Sequence, residues 1–364
     1  MRDPMPAQIA KTAPLHPAAG GVVILGFGLL MTACGASDGE STSESNGAVE
    51  ARASLDGGDW PVDVQSRLFF VGDLVAPEAV RYDPVDDVYL IGNWGDGDES
   101  ANDGFITRVA AEDGALLEAR WVVGSDRIPL QEPRGMVFTG DTLWIVDVRG
   151  VHAFGRATGA ALGFVDLSST EPGFLNDVAA TPDGALWVTD TGTSRVIRID
   201  PPVALAAEGG DRAEGASSAP AGSLDGPAEE GVGWSVVAEG PEVGSPNGIT
   251  WDAGGEQLIL VPWEPGGDSL RALDPTTGGL SIVARSPAGL RFDGIEAVPG
   301  RIGTFVVASQ ADSSLHIVEG DRGTPWQRVP ARPADIAVDT RRNRVAVPYV
   351  AEGRVDVYAL PVGG

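Results

Sequence analysis

Cysteine is all but absent: Cys34 stands alone among 364 residues, so no internal disulfide can staple the fold. Histidine is nearly as scarce. His16 lies near the N-terminus, and His152 and His316 fall within strand-like runs, where isolated histidines serve structure more often than chemistry. That leaves zinc and copper without a set of soft ligands. Lysine occurs once, as Lys11, which we read as coding bias; the 25 basic residues face 52 acidic ones, for a net charge of −27. A chain so acidic is poorly equipped to displace counterions from a phosphate backbone, which argues against nucleic acid as a partner. Long apolar runs are missing too. The best one, Gly20 to Met31, is about a dozen residues, too short for a hydrocarbon core of about 30 Å.

What is present is a repeat. Asn176-Asp177-Val178 leads through an apolar stretch to the turn Pro182-Asp183-Gly184 and back along Leu186 to Thr189. The pattern recurs at Glu78, Arg134, Asn247, Asp293 and Ala334, each time followed by a turn and a second strand such as Leu143 to Val146 or Leu258 to Val261. Intervals of roughly 40 to 55 residues belong to propeller blades, so six copies predict an all-β fold, a six-bladed β-propeller. A hydrophobic content of 43% suffices for its core. The run Ser66 to Val71 precedes the first copy and is expected to close the ring as the outermost strand of the last blade, beside Arg354 to Leu360. Trp144, Trp187 and Trp251 recur at or beside strand positions, as aromatics that pack blades do.

The innermost strand of a blade begins beside the channel, so the first residues of the six copies converge on one axis. They are Glu78, Arg134, Asn176, Asn247, Asp293 and Ala334, five of them polar or charged. Glu78, Asn176, Asn247 and Asp293 supply only oxygen ligands, the kind a hard cation takes, and Ca2+ is the cofactor we expect. The plainer reading is a set of side chains that hydrogen-bond across a water-filled channel. Acidic residues between Asn93 and Gly104 are spaced like a calcium loop but lack its closing glutamate, and we read them as a solvated hairpin loop.

At the N-terminus, Arg2 and Lys11 precede the short apolar run, which ends in Thr32-Ala33-Cys34 and reads as a secretory signal over residues 1–34. Leu30-Met31-Thr32-Ala33-Cys34 resembles a lipobox, with Cys34 as the lipidation site; Gly35 after it points to the outer membrane, facing the periplasm. The alternative is a plain secreted protein. Residues 35–57 are too polar to pack and are expected to be a flexible tether, with the propeller over 58–364. Residues 201–233, rich in Ala, Gly, Glu, Pro and Ser, read as a disordered insertion within the third blade. Contact with a membrane is expected only through the lipid anchor, and a monomer is expected.

The set Pro77-Glu78, Leu175-Asn176-Asp177-Val178, Pro246-Asn247-Gly248 and Phe292-Asp293-Gly294-Ile295 resembles the senescence marker protein/gluconolactonase/luciferin-regenerating-enzyme family, also called the regucalcin family. There is a more distant similarity to paraoxonases, and the resemblance spans about residues 70 to 360. It implies a six-bladed propeller that holds a divalent metal, usually calcium, at its mouth and hydrolyses lactones or related esters. Position by position it implies Glu78, Asn247 and Asp293 as metal ligands, Asp293 also as general base, and Asn176 as a contact to metal or substrate. Where paraoxonase-like enzymes carry a catalytic histidine, this chain has Arg134-Gly135. Arg134 then binds a substrate carboxylate or an oxyanion, or else pairs with Glu78 or Asp293 as a salt bridge. Two functions stay open: an anchored calcium-dependent lactone or ester hydrolase, and a non-catalytic propeller binding a protein or glycan.

Overall fold

The computed structural model describes residues 67–96, 101–126, 128–200, 233–264, 267–286 and 291–361. The expected signal with Cys34, the tether, and all of the expected insertion but Gly233 lie outside the described residues.

After a short first strand, β1 (Phe69–Val71), the chain runs through six antiparallel meanders. The first is β2 (Pro77–Asp83), β3 (Val88–Asn93), β4 (Phe105–Ala110) and β5 (Leu116–Val123). The second is β6 (Met136–Thr139), β7 (Thr142–Asp147), β8 (Gly150–Gly155) and β9 (Ala161–Asp166). The third is β10 (Leu175–Ala180), β11 (Leu186–Asp190), β12 (Arg195–Ile199) and β13 (Trp234–Glu239). The fourth is β14 (Pro246–Asp252), β15 (Gln257–Pro262), β16 (Ser269–Leu273) and β17 (Leu280–Arg285). The fifth is β18 (Phe292–Ala297), β19 (Thr304–Ser309), β20 (Ser314–Glu319) and β21 (Arg322–Arg328). The sixth is β22 (Ala337–Asp339), β23 (Arg344–Tyr349) and β24 (Arg354–Ala359), completed by β1, whose Phe69 pairs with Val357 and Val71 with Val355. The closing strand therefore comes from the opposite end of the chain, as the sequence led us to expect. A single parallel pair, Arg285 with Arg322, links the outer strands of the fourth and fifth meanders.

Packing shows why these sheets form a propeller. Apolar side chains on each face have no partner within their own sheet, and six separate clusters bury them between neighbours. Leu90, Ile106, Leu143 and Ile145 join the first two blades. Trp144, Val178 and Val188 join the second to the third, and Trp187, Ile249 and Leu260 join the third to the fourth. Val261, Ile295 and Val307 follow, then Val306, Val338 and Val347. Val80, Ile91, Ala346 and Val357 bring the sixth blade back to the first. Every blade touches two others, so the arrangement closes on itself. Trp144 and Trp187 are fully buried within it, as blade-packing aromatics should be, and Trp251 lies half-buried against the third cluster of this series.

Charged clasps add to the apolar seams. Asp83 at the end of β2 accepts hydrogen bonds from Arg156 Nε of the second blade at 3.0 and 3.1 Å and from the Val85 amide at 2.8 Å. These bonds outweigh the burial that raises its pKa and hold the carboxyl below its ordinary range.

Candidate functional site

The inner strands do not run regularly into the channel. In four of six blades the pairing of first and second strand slips where the polar residue sits: between Pro77 and Ala79, Leu175 and Val178, Pro246 and Ile249, and Phe292 and Ile295. A bulge frees one residue from the ladder and re-aims its side chain. Glu78, Asn176, Asn247 and Asp293 all lie within these slips. Their freed backbone groups are taken up by the neighbouring blade: Gly135 N donates to Asn176 O at 3.0 Å, Asp335 N to Glu78 O at 3.0 Å, and Thr189 Oγ1 to Asn247 O at 2.6 Å. In the second and sixth blades β6 and β22 begin later, yet Arg134 N and Ala334 N still pair with Val146 O and Pro348 O. All six first residues are thus equivalent in place.

The ring is buried, with each of its six members at most 5% exposed. Asn247 hydrogen-bonds Asp293, and Gln310 Nε2 donates to Asp293 Oδ2 at 2.6 Å. Asp293 Oδ1 carries no hydrogen bond, and neither does Glu78 Oε2. Burial pushes Asp293 up to about 7, helped by the charge of Asp177 and opposed by the bond from Gln310. Burial also raises Glu78 well above its ordinary value, and the nearby Asp293 raises it further. Asn176 Nδ2 donates to Thr191 Oγ1 at 2.9 Å, which turns the amide so that its oxygen is the group left to offer.

Arg134 sits in the same ring but is already engaged. Its guanidinium donates to Leu175 O at 2.5 Å and Glu132 Oε2 at 2.7 Å and stacks 3.6 Å from the Phe174 ring centre. The salt bridge is therefore to Glu132, and neither Glu78 nor Asp293 is its hydrogen-bonded partner. Glu132 lies two residues before Arg134 on the approach to β6, and nothing in the repeat marks it.

A second layer was also hidden in the sequence. One residue further along, the blades carry Ala79, Gly135, Asp177, Gly248, Gly294 and Asp335, so each acid has a small residue on either side of it in the ring order. The reason is space: a Cβ at Gly135 would strike the Asp177 carboxylate, and one at Gly294 would reach Asp335 Oδ1 at 2.7 Å. Asp177 accepts from Ile249 N at 2.8 Å and Val178 N at 2.7 Å, whereas Asp335 Oδ2 is buried without a partner. Burial raises both carboxyls, that of Asp177 to about 7. Deeper still, Arg81 and Glu296 form an ion pair between the first and fifth blades.

Other candidates resolve into structure. His152 Nε2 bonds Asp147 Oδ2 at 3.0 Å, and Asp147 also accepts from the amides of Gln131 and Glu132, which fastens the loop before β6. Ser286, His316 and Asp312 stand in the order of a nucleophilic triad, with Ser286 Oγ 2.6 Å from His316 Nδ1 and Asp312 Oδ2 3.2 Å from Nε2. Ser286 and His316 have no exposure, so a substrate has no approach to them. In the loop after β3, Asp103 Oδ2 accepts from Asp96 N at 2.8 Å, while residues 97–100 lie outside the described residues. A cavity of about 910 Å³ lies at the far ends of the third and fourth blades, lined by Trp187, Arg198, Trp251 and Asp274, and includes no ring residue. Among the described residues no three His, Cys, Asp or Glu side chains converge as a metal site. The ring set is of another kind, two carboxylates and two amides. It passes a test of fit: the unpartnered oxygens of Glu78 and Asp293 are buried and mutually repelling, the condition a cation relieves.

No protein-family description matches the chain, and no curated protein matches it either. Solved structures do. A streptogramin B lyase superposes with a TM-score of 0.53 at 12% identity, over 82% of this chain and 100% of that one. A gluconolactonase from Xanthomonas campestris does so with a TM-score of 0.52 at 14% identity, over 80% and 88%. An auxiliary nutrient binding protein from Bacteroides ovatus gives 0.52 at 12% identity, over 79% and 69%. At such identities the likeness is one of fold, and the fold is a β-propeller.

Proposed function

We propose that this propeller is a lactone or ester hydrolase of the gluconolactonase-like kind, dependent on a divalent cation, with calcium the best match to its ligands. The observation that carries the reading is the convergence of Glu78, Asn247 and Asp293, brought by bulges on three separate blades into one buried ring, with carboxylate oxygens left unpartnered. Glu78, Asn176, Asn247 and Asp293 would hold the ion; when bound it supplies Lewis acidity that polarises a substrate carbonyl.

The chain's own part is positioning and proton transfer. Gln310 holds Oδ2 of the Asp293 carboxylate, so that the unpartnered Oδ1 is the oxygen left to take a proton. In the reaction a water oxygen bonds to the carbonyl carbon while its proton passes to Asp293. The carbon–oxygen bond of the ring or ester then breaks, and the proton returns to the departing alkoxide. Arg134, tied to Glu132, acts in this scheme by holding the mouth in shape through Phe174 and Leu175. Residues 1–57 would carry the signal, the lipidated Cys34 and the tether that place a monomeric propeller at the outer membrane.

Asp293→Asn tests the proposal. Turnover on a panel of lactones and aryl esters should fall by about 10²- to 10⁴-fold, the range for losing a general base, and elemental analysis should find a divalent metal in the purified wild type. The second reading, a non-catalytic binding propeller, draws on the nutrient-binding neighbour and on Arg134 being engaged elsewhere. Metal in the protein with no turnover on any substrate of the panel would favour it.

A further inference from the structure

Directly outside the buried ring lies a collar whose composition bears on the substrate. The residue that follows the second strand in each blade is Trp94, Val148, Thr191, Trp263, Gln310 or Val350. In four blades its amide donates to the residue two before the ring member: Trp94 to Ala76 at 3.2 Å, Thr191 to Phe174 at 2.9 Å, Trp263 to Ser245 at 2.9 Å and Gln310 to Arg291 at 3.2 Å. These six residues sit one step further out than the ring on the same strand pairs. All are half-buried, whereas the ring residues are buried.

The two polar members are already engaged. Thr191 Oγ1 donates to Pro246 O at 2.7 Å while accepting from Asn176, and Gln310 donates to Asp293. The other four present two indoles and two isopropyl groups. Their polar atoms are the two indole Nε1 groups, of which that of Trp94 is buried and carries no hydrogen bond. Trp144 and Trp187 fill blade interfaces, whereas Trp94 and Trp263 are only half-buried and lie beyond the ring members Glu78 and Asn247 on the same strand pairs.

Building on the hydrolase reading, we infer that the collar selects lactones or esters bearing an apolar acyl or aryl substituent over polyhydroxylated sugar lactones. An alkyl or aromatic group loses water favourably against such surfaces, whereas the several hydroxyls of a sugar buried there give up more hydrogen bonds than two indole N–H groups can return. A site with too few partners for those hydroxyls discriminates by that deficit.

The test measures kcat/KM for an alkyl-substituted δ-lactone and for glucono-δ-lactone, and by calorimetry the affinities of the two corresponding lactams, which resist hydrolysis. The alkyl compound should win in both assays by about tenfold or more. Trp263→Ala should lower that preference severalfold, and Val350→Asn, which changes polarity with little change in volume, should lower it too. Equal or stronger binding of the hydroxylated lactam overturns the inference, as does a loss in the variants that is the same for both lactams, or failure of either lactam to bind. Selective binding of the alkyl lactam with neither lactone cleaved would leave this inference standing and remove the hydrolase.

Discussion

Cutting Arg134 back to alanine would leave the buried Glu132 carboxylate without that counter-charge and strip the stacking from Phe174. Breaking a buried pair from one side is strongly destabilising, so Arg134→Ala should lose about 3 kcal/mol, read as a shift in the urea midpoint. A residue that served only a substrate would leave the midpoint in place. Glu78, Asn176, Asn247 and Asp293 were legible because an aligned repeat exposes a polar residue wherever the pattern asks only for a strand start. Glu132, Gln310, Asp177 and Asp335 were not. The first two are recognised by what they touch, Arg134 and Asp293, and both contacts depend on coordinates rather than spacing. The two acids were visible as letters, but their meaning lies in the glycines and alanine that neighbouring blades set beside them.

At the scale of the strand, the bulges and inter-blade clasps hold the site's geometry. Gly135→Ala would push a methyl group into the Asp177 carboxylate and backbone, contacts that cannot relax cheaply, and should destabilise by about 1–3 kcal/mol in thermal or urea unfolding. The Asp83–Arg156 clasp carries a pH signature. Because the folded state holds the Asp83 carboxyl below its ordinary value, the stability it contributes is present in full above the unfolded carboxyl's pKa of about 3.9. It is lost as pH falls through the lower, folded value. Asp83→Asn should therefore lower stability at neutral pH and flatten the loss of stability on acidification below about pH 4, in urea titrations run at several pH values. Strand positions were read well from the sequence, since apolar runs and turn residues are local signals. The bulges escaped because a slipped register is a property of two strands together, and either strand alone reads as regular.

For the molecule as a whole, six apolar seams make a closed ring, and closure depends on three residues of β1 against β24. Val71 is buried there, and Leu68 N adds a hydrogen bond to Val357 O at 2.8 Å. Val71→Asp should cost about 3 kcal/mol, through lost apolar burial and a carboxylate placed in the seam, and should make unfolding less cooperative by calorimetry. The clasp also sets an order of assembly during synthesis. The piece that finishes the sixth blade is among the first described residues to be made, and its partner β24 is the last strand. A nascent chain must keep β1 unpaired until β24 has been translated. Five blades can stack while the polypeptide is still growing, but the circle can shut only when β24 arrives.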